Sequence, residues 1–253
     1  MKGLEEQAVL VVGGGSLGGQ LVLELAKAGV GEINVVDDDR YDLNNSVRHI
    51  LPASVAGYPK AQAVADAASA INPLVTVNSH SWPVGKLPGL DAELEGLIGD
   101  SSLVIDATGV QPVTRFLHRL VSGAGKELLV VNLTPGAYGG RIVRLKGSSP
   151  CYDCFKRHTA DGTIQDAPMQ AIVPGVTPYG CSHPAASGAG FDAAELVAVA
   201  ARRAVQELNT NGYPASDADW IVLSFRDVPA EQHYREGELN VHHDCPYCGA
   251  GET

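Results

Sequence analysis

Three glycines, Gly13, Gly15 and Gly18, follow directly on the apolar run Ala8-Val9-Leu10-Val11-Val12 and open a helical pattern. A strand that is apolar at every position is covered on both faces, as a central parallel strand is. Glycine at these spacings lets the chain turn tightly, lets a phosphate approach the backbone and lets the helix pack close to the strand. The helix N-terminus then offers unpaired N–H groups to an anion. This opening points to an α/β fold that binds a nucleotide; the plainer alternative is a purely structural strand-to-helix turn.

The alternation continues along the chain. Leu17, Leu21, Leu25 and Ala28 recur at helical spacing, and Gly29 suits a left-handed cap. Strands are expected at Ile33 to Val36, Val75 to Ser79, Leu103 to Ile105 and Leu128 to Asn132. Helices are expected at Lys60 to Ile71, Asp91 to Ile98 and Val113 to Val121. Strands and helices in turn predict a Rossmann-like, doubly wound, mostly parallel sheet. Beyond it the pattern changes to a strand at Arg141 to Leu145, a cysteine pair, and a Pro-, Gly- and Ser-rich stretch up to Phe191 that reads as a loop. A helix at Ala193 to Leu208 and strand-like runs at Trp220 to Phe225 and Gln232 to His242 follow. We expect a nucleotide-binding region over residues 1–150 and a C-terminal region over 151–253, integrated as one domain.

With 18 Lys and Arg against 29 Asp and Glu, the net charge of −11 disfavours a protein that grips a phosphate backbone. No apolar run approaches the ~18 residues of a spanning helix, and no signal peptide is legible. Four of the five cysteines form two Cys-x-x-Cys pairs, Cys151/Cys154 and Cys245/Cys248. Without a secretory signal such pairs favour a four-thiolate zinc site over disulfides and place the chain in the cytosol; a redox pair is the rival reading.

Asp39 lies at the end of the second strand, where it suits a ribose hydroxyl of NAD or of ATP alike. The segment from Asp37 to His49 decides between them, because it brings Asn45 and Arg48 just past the acidic strand end, and Lys60 follows. An Arg and a Lys at one crevice supply what a triphosphate needs, whereas the glycine turn already serves a dinucleotide's pyrophosphate. Chance surface charge is the alternative for both.

In order and spacing, Asp37-x-Asp39, Asn44-Asn45-Ser46-Val47-Arg48-His49, Gly57-x-x-Lys60 and Ile71-Asn72-Pro73 resemble the D-x-D, S-N-L-x-R-Q, G-x-x-K and I-N-P of the ThiF/MoeB/HesA superfamily. That superfamily is the adenylating domain shared by sulfur-carrier activators and ubiquitin-activating enzymes. The resemblance runs from Val9 to Cys154 and resumes at the last cysteine pair. It implies an ATP site in which Gly13, Gly15, Gly18 and Asp37 form the nucleotide turn and Asp39 takes the ribose. Asn45, Arg48 and Lys60 would hold the phosphates, and magnesium would bridge the phosphoryl oxygens. Zinc on Cys151, Cys154, Cys245 and Cys248 would anchor a C-terminal β region bearing a crossover loop, and two chains would pair as a homodimer.

Two departures stand out. The family's D-x-T-D-N carries a magnesium ligand, but here the stretch is Asp106-Ala107-Thr108-Gly109-Val110, so glycine stands for that carboxylate and Asp106 becomes the candidate ligand. No arginine precedes Arg40, so the N-terminal arginine that family dimers share is missing, and we expect a domain excised from a longer protein. Cys181, in Pro178-Tyr179-Gly180-Cys181-Ser182-His183-Pro184, resembles the crossover-loop cysteine that accepts the acyl group as a thioester in ubiquitin-activating relatives; an inert thiol is the alternative.

The expected activity is ATP-dependent adenylation of the C-terminal carboxylate of a ubiquitin-like or sulfur-carrier protein with an extended tail, followed by transfer to Cys181. The alternatives are adenylation of a peptide or a tRNA-linked carboxylate, an NAD-dependent oxidoreductase, and a non-catalytic scaffold.

Overall fold

The computed structural model describes residues 3–85, 90–171, 188–208, 214, 216–226, 228–229 and 232–249. Eight strands form one sheet: β1 (Ala8–Val12), β2 (Glu32–Val36), β3 (Thr76–His80), β4 (Leu103–Asp106), β5 (Leu128–Leu133), β6 (Gly139–Leu145), β7 (Trp220–Ser224) and β8 (Tyr234–Gly237). Their order is β3-β2-β1-β4-β5-β6-β7-β8. The strands from β3 to β5 pair in parallel, and β6, β7 and β8 extend the sheet antiparallel. Because the chain runs outward from β1 in one direction and then returns to place β4 on its other side, a crevice opens at the carboxyl ends of β1 and β4.

Side chains alternate between the two faces of each strand. Val9, Val11, Ile33, Val35, Leu103 and Ile105 pack under α1 (Ser16–Ala28), α2 (Lys60–Ile71) and α6 (Gly190–Glu207). Leu10, Val12, Val104, Leu128 and Val130 pack under α3 (Leu90–Asp100), α4 (Gln111–Gly123) and α5 (Tyr152–Ala160). Both layers are closed, which is why β1 carries no polar residue.

The loop expected after the first cysteine pair starts later, because a helix spans Tyr152–Ala160 and takes in the pair's end. Tyr152 and Phe155 are buried on one side of α5 with Cys151 as its N-cap, so tertiary packing overrides the surrounding Gly and Pro content. The strand expected at Gln232 to His242 is only Tyr234–Gly237, and residues 238–249 run irregularly to the last cysteine pair. The crossover loop, with Cys181 and His183, lies outside the described residues.

A buried charge network joins β6 to α6 and to the residue preceding β7. Arg144 on β6 pairs with Glu207 at 2.8 Å and with Asp219 at 3.4 Å, while Arg203 on α6 pairs with Glu207 at 2.6 Å. Among the described residues no helix is long and apolar enough to cross a membrane.

Candidate functional site

The glycine turn is shaped by backbone approach. Gly13 has φ +94°, and a Cβ there would lie 2.9 Å from the main chain of Ala107 and Thr108 on β4's exit. At Gly18 an added Cβ would sit 1.8 Å from the Gly13 carbonyl oxygen, so α1 meets the turn with no side chain between them. Gly15 caps α1 without any side-chain acceptor, which leaves the first-turn amides facing the crevice.

Asp37 ties this turn to the end of β2. Its carboxylate accepts the Gly14 N–H at 2.7 Å and the Asp39 N–H at 2.9 Å, and burial raises its pKa above the ordinary 3.8. Asp39 in turn receives the Lys60 ammonium at 2.7 Å; the lysine is nearly buried, while the carboxylate is half exposed. Asp42 and Asn45 form a reciprocal capping box on a short 3-10 turn, Leu43–Val47, which delivers Arg48 to the crevice wall.

His49, which follows Arg48, was not singled out by the sequence. Its Nδ1 accepts from the Leu51 N–H at 3.2 Å, so Nε2 carries the proton and donates to the Gly14 carbonyl at 2.9 Å. Burial lowers its pKa below 6.5. The ring is therefore a neutral strut between the arginine segment and the glycine turn. The one sequence signal was that His49 stands where the family pattern has glutamine, another side chain able both to donate and to accept.

These residues surround an open crevice of about 1250 Å³ lined by Gly13, Gly15, Asp37, Asp39, Asn45, Arg48 and Lys60. Gly18 lies behind it as packing. Asp106 does not reach it: the residue is 1% exposed, one oxygen accepts from Thr108 N (2.9 Å) and Oγ1 (2.6 Å), and the other accepts from Thr114 Oγ1 at 2.5 Å. With both oxygens engaged and burial raising its pKa, Asp106 organises the β4 exit and presents no exposed carboxylate to the crevice. Gly109 has φ +67° and open space where a Cβ would lie, so no carboxylate replaces it there.

The four cysteines of the two Cys-x-x-Cys pairs converge on the same side of the sheet as α5. Their sulfurs all lie within 4.8 Å of one another, with Cys151 Sγ 3.9 Å from Cys154 Sγ and 3.6 Å from Cys245 Sγ. A disulfide needs ~2.05 Å. Tetrahedral zinc with bonds of ~2.3 Å sets its sulfurs about 3.8 Å apart, which these separations match. Burial pushes the Cys151 and Cys154 thiols up, so a buried cation is what would hold them as thiolates. His242 beside them is no ligand: its Nδ1 accepts from Asp244 N–H at 3.0 Å, which places the proton on Nε2, bonded to Asp161 at 3.0 Å.

The sequence model of the ThiF family matches residues 1–214. The chain belongs to the ThiF family. Among its relatives is the uncharacterized protein y4oA of Sinorhizobium fredii, 28% identical over 98% of this chain and 44% of that protein. The SAMP-activating enzyme E1 of Haloferax volcanii is 28% identical over 96% of the chain and 80% of its own length. The molybdopterin-synthase adenylyltransferase of Escherichia coli is 34% identical over 61% of the chain and 60% of its own. The chain thus spans less than half of y4oA. The ThiF fold is also visible in solved structures: E. coli MccB with AMPCPP and MccA aligns with a TM-score of 0.71 at 14% identity, covering 97% of this chain and 67% of MccB. PaaA aligns with a TM-score of 0.69 at 18% identity, over 93% and 65%.

Proposed function

We propose that this ThiF-family chain binds ATP in the crevice and transfers its AMP to a carboxylate. The observation that carries this is the convergence of Asp39, Arg48 and Lys60 with the glycine turn on one crevice. A dinucleotide needs only the turn; two cations in the same crevice suit the β- and γ-phosphates. In the reaction a carboxylate oxygen bonds to the α-phosphorus, the bond from that phosphorus to the bridging oxygen breaks, and pyrophosphate leaves with its charge held by Arg48 and Lys60. Magnesium, when bound, would supply neutralisation of phosphate charge, and Asp106, engaged by Thr108 and Thr114, would not hold it.

The acceptor is a carboxyl terminus, of a ubiquitin-like or sulfur-carrier protein or of a short peptide. Relatives named for each class support both: the E. coli and H. volcanii enzymes for the first, MccB with MccA for the second. Cys181 is proposed to take the acyl group afterwards; Cys181→Ala would then keep AMP transfer and lose a thioester detectable by its lability to hydroxylamine. The cysteine cluster fits zinc, which would pin α5 to the last turn of the chain, and acid digestion with elemental analysis would report about one zinc per chain.

The direct test is thermal. Saturating ATP should raise the melting temperature by roughly 5–10 °C and NADH should not. Arg48→Ala and Lys60→Met should lose that shift, and with a cognate acceptor should lower AMP transfer by about 100-fold or more. A shift with NADH and none with ATP would overturn the proposal.

A further inference from the structure

Helix α5 turns different sides to the cysteine cluster and to the crevice. Cys151 caps it and Cys154 lies within its first turn, both buried in the cluster. Tyr152 and Lys156 are four residues apart, hence on one face, and both line the crevice beside Asn132 of β5 and Arg141 of β6. This wall is remote in the sheet from β2 and α2, which carry Asp39 and Lys60.

Most polar groups here already have partners. Asn132 Nδ2 donates to the Tyr152 oxygen at 2.8 Å, and Arg141 is held by both oxygens of Asp166, at 2.7 and 2.5 Å. Asp153 is taken by Arg115. What is left over is donors: among the described residues, neither the Tyr152 phenol proton nor the Lys156 ammonium has an acceptor within hydrogen-bond reach, and no carboxylate pairs with Lys156. Lys156 is half-buried in this wall, near Asp153 and Asp166 but in ion-pair contact with neither. A partly desolvated cation that no carboxylate contacts directly is stabilised when an anion joins it. With Arg141 and Arg115 each neutralised, the wall carries one excess positive charge. One negative charge matches it; a triphosphate would meet Asp153 and Asp166 behind it.

We propose that Tyr152 and Lys156 form the subsite for the acceptor's terminal carboxylate, and that the cysteine cluster sets its position by fixing α5. The subsite's role in catalysis rests on the adenylation reading; its existence does not. Lys156 and Tyr152 hold one carboxylate oxygen, leaving the other directed along the crevice toward the nucleotide.

The test uses the full chain and two synthetic peptides ending in Gly-Gly, one a free acid and one an amide. Their binding is followed by fluorescence anisotropy with and without AMPCPP. The acid should bind about tenfold or more tighter than the amide, as a charge-assisted pair requires. Lys156→Gln should erase the preference, Lys156→Arg should keep it, and AMPCPP affinity should be unchanged in both. Cys245→Ser, which loosens the cluster without touching the crevice, should weaken acid binding while sparing AMPCPP. A wild type that binds neither peptide, or both equally, overturns the subsite. So does a Lys156→Gln variant that still prefers the acid, or one that loses AMPCPP in proportion, which would assign the lysine to phosphate. Preference for the acid without any AMPCPP binding supports the subsite and sinks adenylation instead.

Discussion

At the scale of single residues, the crevice depends on glycines that nothing can replace and on one neutral imidazole. Gly18→Ala would drive a methyl into the Gly13 carbonyl at 1.8 Å. The backbone must shift, and we expect a loss of about 3 kcal/mol with a melting temperature lower by roughly 10 °C. His49 and His118 both have pKa values lowered from 6.5 by burial. The unfolded chain therefore binds their protons more readily, so their contribution is complete above pH 6.5 and is lost as pH falls below it. Urea midpoints measured from pH 7.5 downward should fall through this window, and His49→Gln with His118→Gln should flatten the slope. Asp37 and Asp106, raised from 3.8, act in the opposite sense from pH 3.8 upward, and that residual slope should survive in the double variant.

At the scale of elements, α6 is the clasp that joins the C-terminal half to α1 and β6. Glu207 serves two buried arginines, Arg144 and Arg203, so Glu207→Gln leaves both short of charge. Chemical denaturation should show a loss of about 3–5 kcal/mol, the range for one partner removed from a buried pair. A loss below 1 kcal/mol would show that Asp219 alone compensates both arginines. Helix α5 is tied to α4 by the partly exposed Arg115–Asp153 pair, to the core by Phe155 and to the cluster by Cys151 and Cys154. Strong chelation should accordingly expose the α5 segment to hydrogen exchange well before the strands open.

At the scale of the whole molecule, the two halves expected from the sequence share one sheet. β6 belongs to the first 150 residues, yet it is paired along its length with β7, and α1 of the first half packs on α6 of the second. Residues 1–150 alone would leave β6 as an open edge and strip α1 of its cover. We expect that fragment to be insoluble or molten, and the full chain to melt in one transition whose van't Hoff and calorimetric enthalpies agree. Two resolved transitions would show instead that the parallel and antiparallel parts are separate folding units.

The all-apolar β1, the glycine spacing and the helical periodicity of α1 are local patterns, so the parallel half and its glycine turn were legible residue by residue. The paired cysteines were legible too, because four thiols at that spacing leave little other chemistry. Asp106 was not: a carboxylate looks alike in sequence whether its oxygens face solvent or, as here, three threonine donors. Helix α5 was hidden for a similar reason, since nine residues of modest propensity become a helix only when Phe155 is buried and the cysteines are gathered. His49 as a strut and Tyr152 with Lys156 as an unpaired donor wall exist only once distant segments meet. Periodicity and spacing are properties of neighbours along the chain; hydrogen-bond partnership is a property of neighbours in space, and folding alone assigns it.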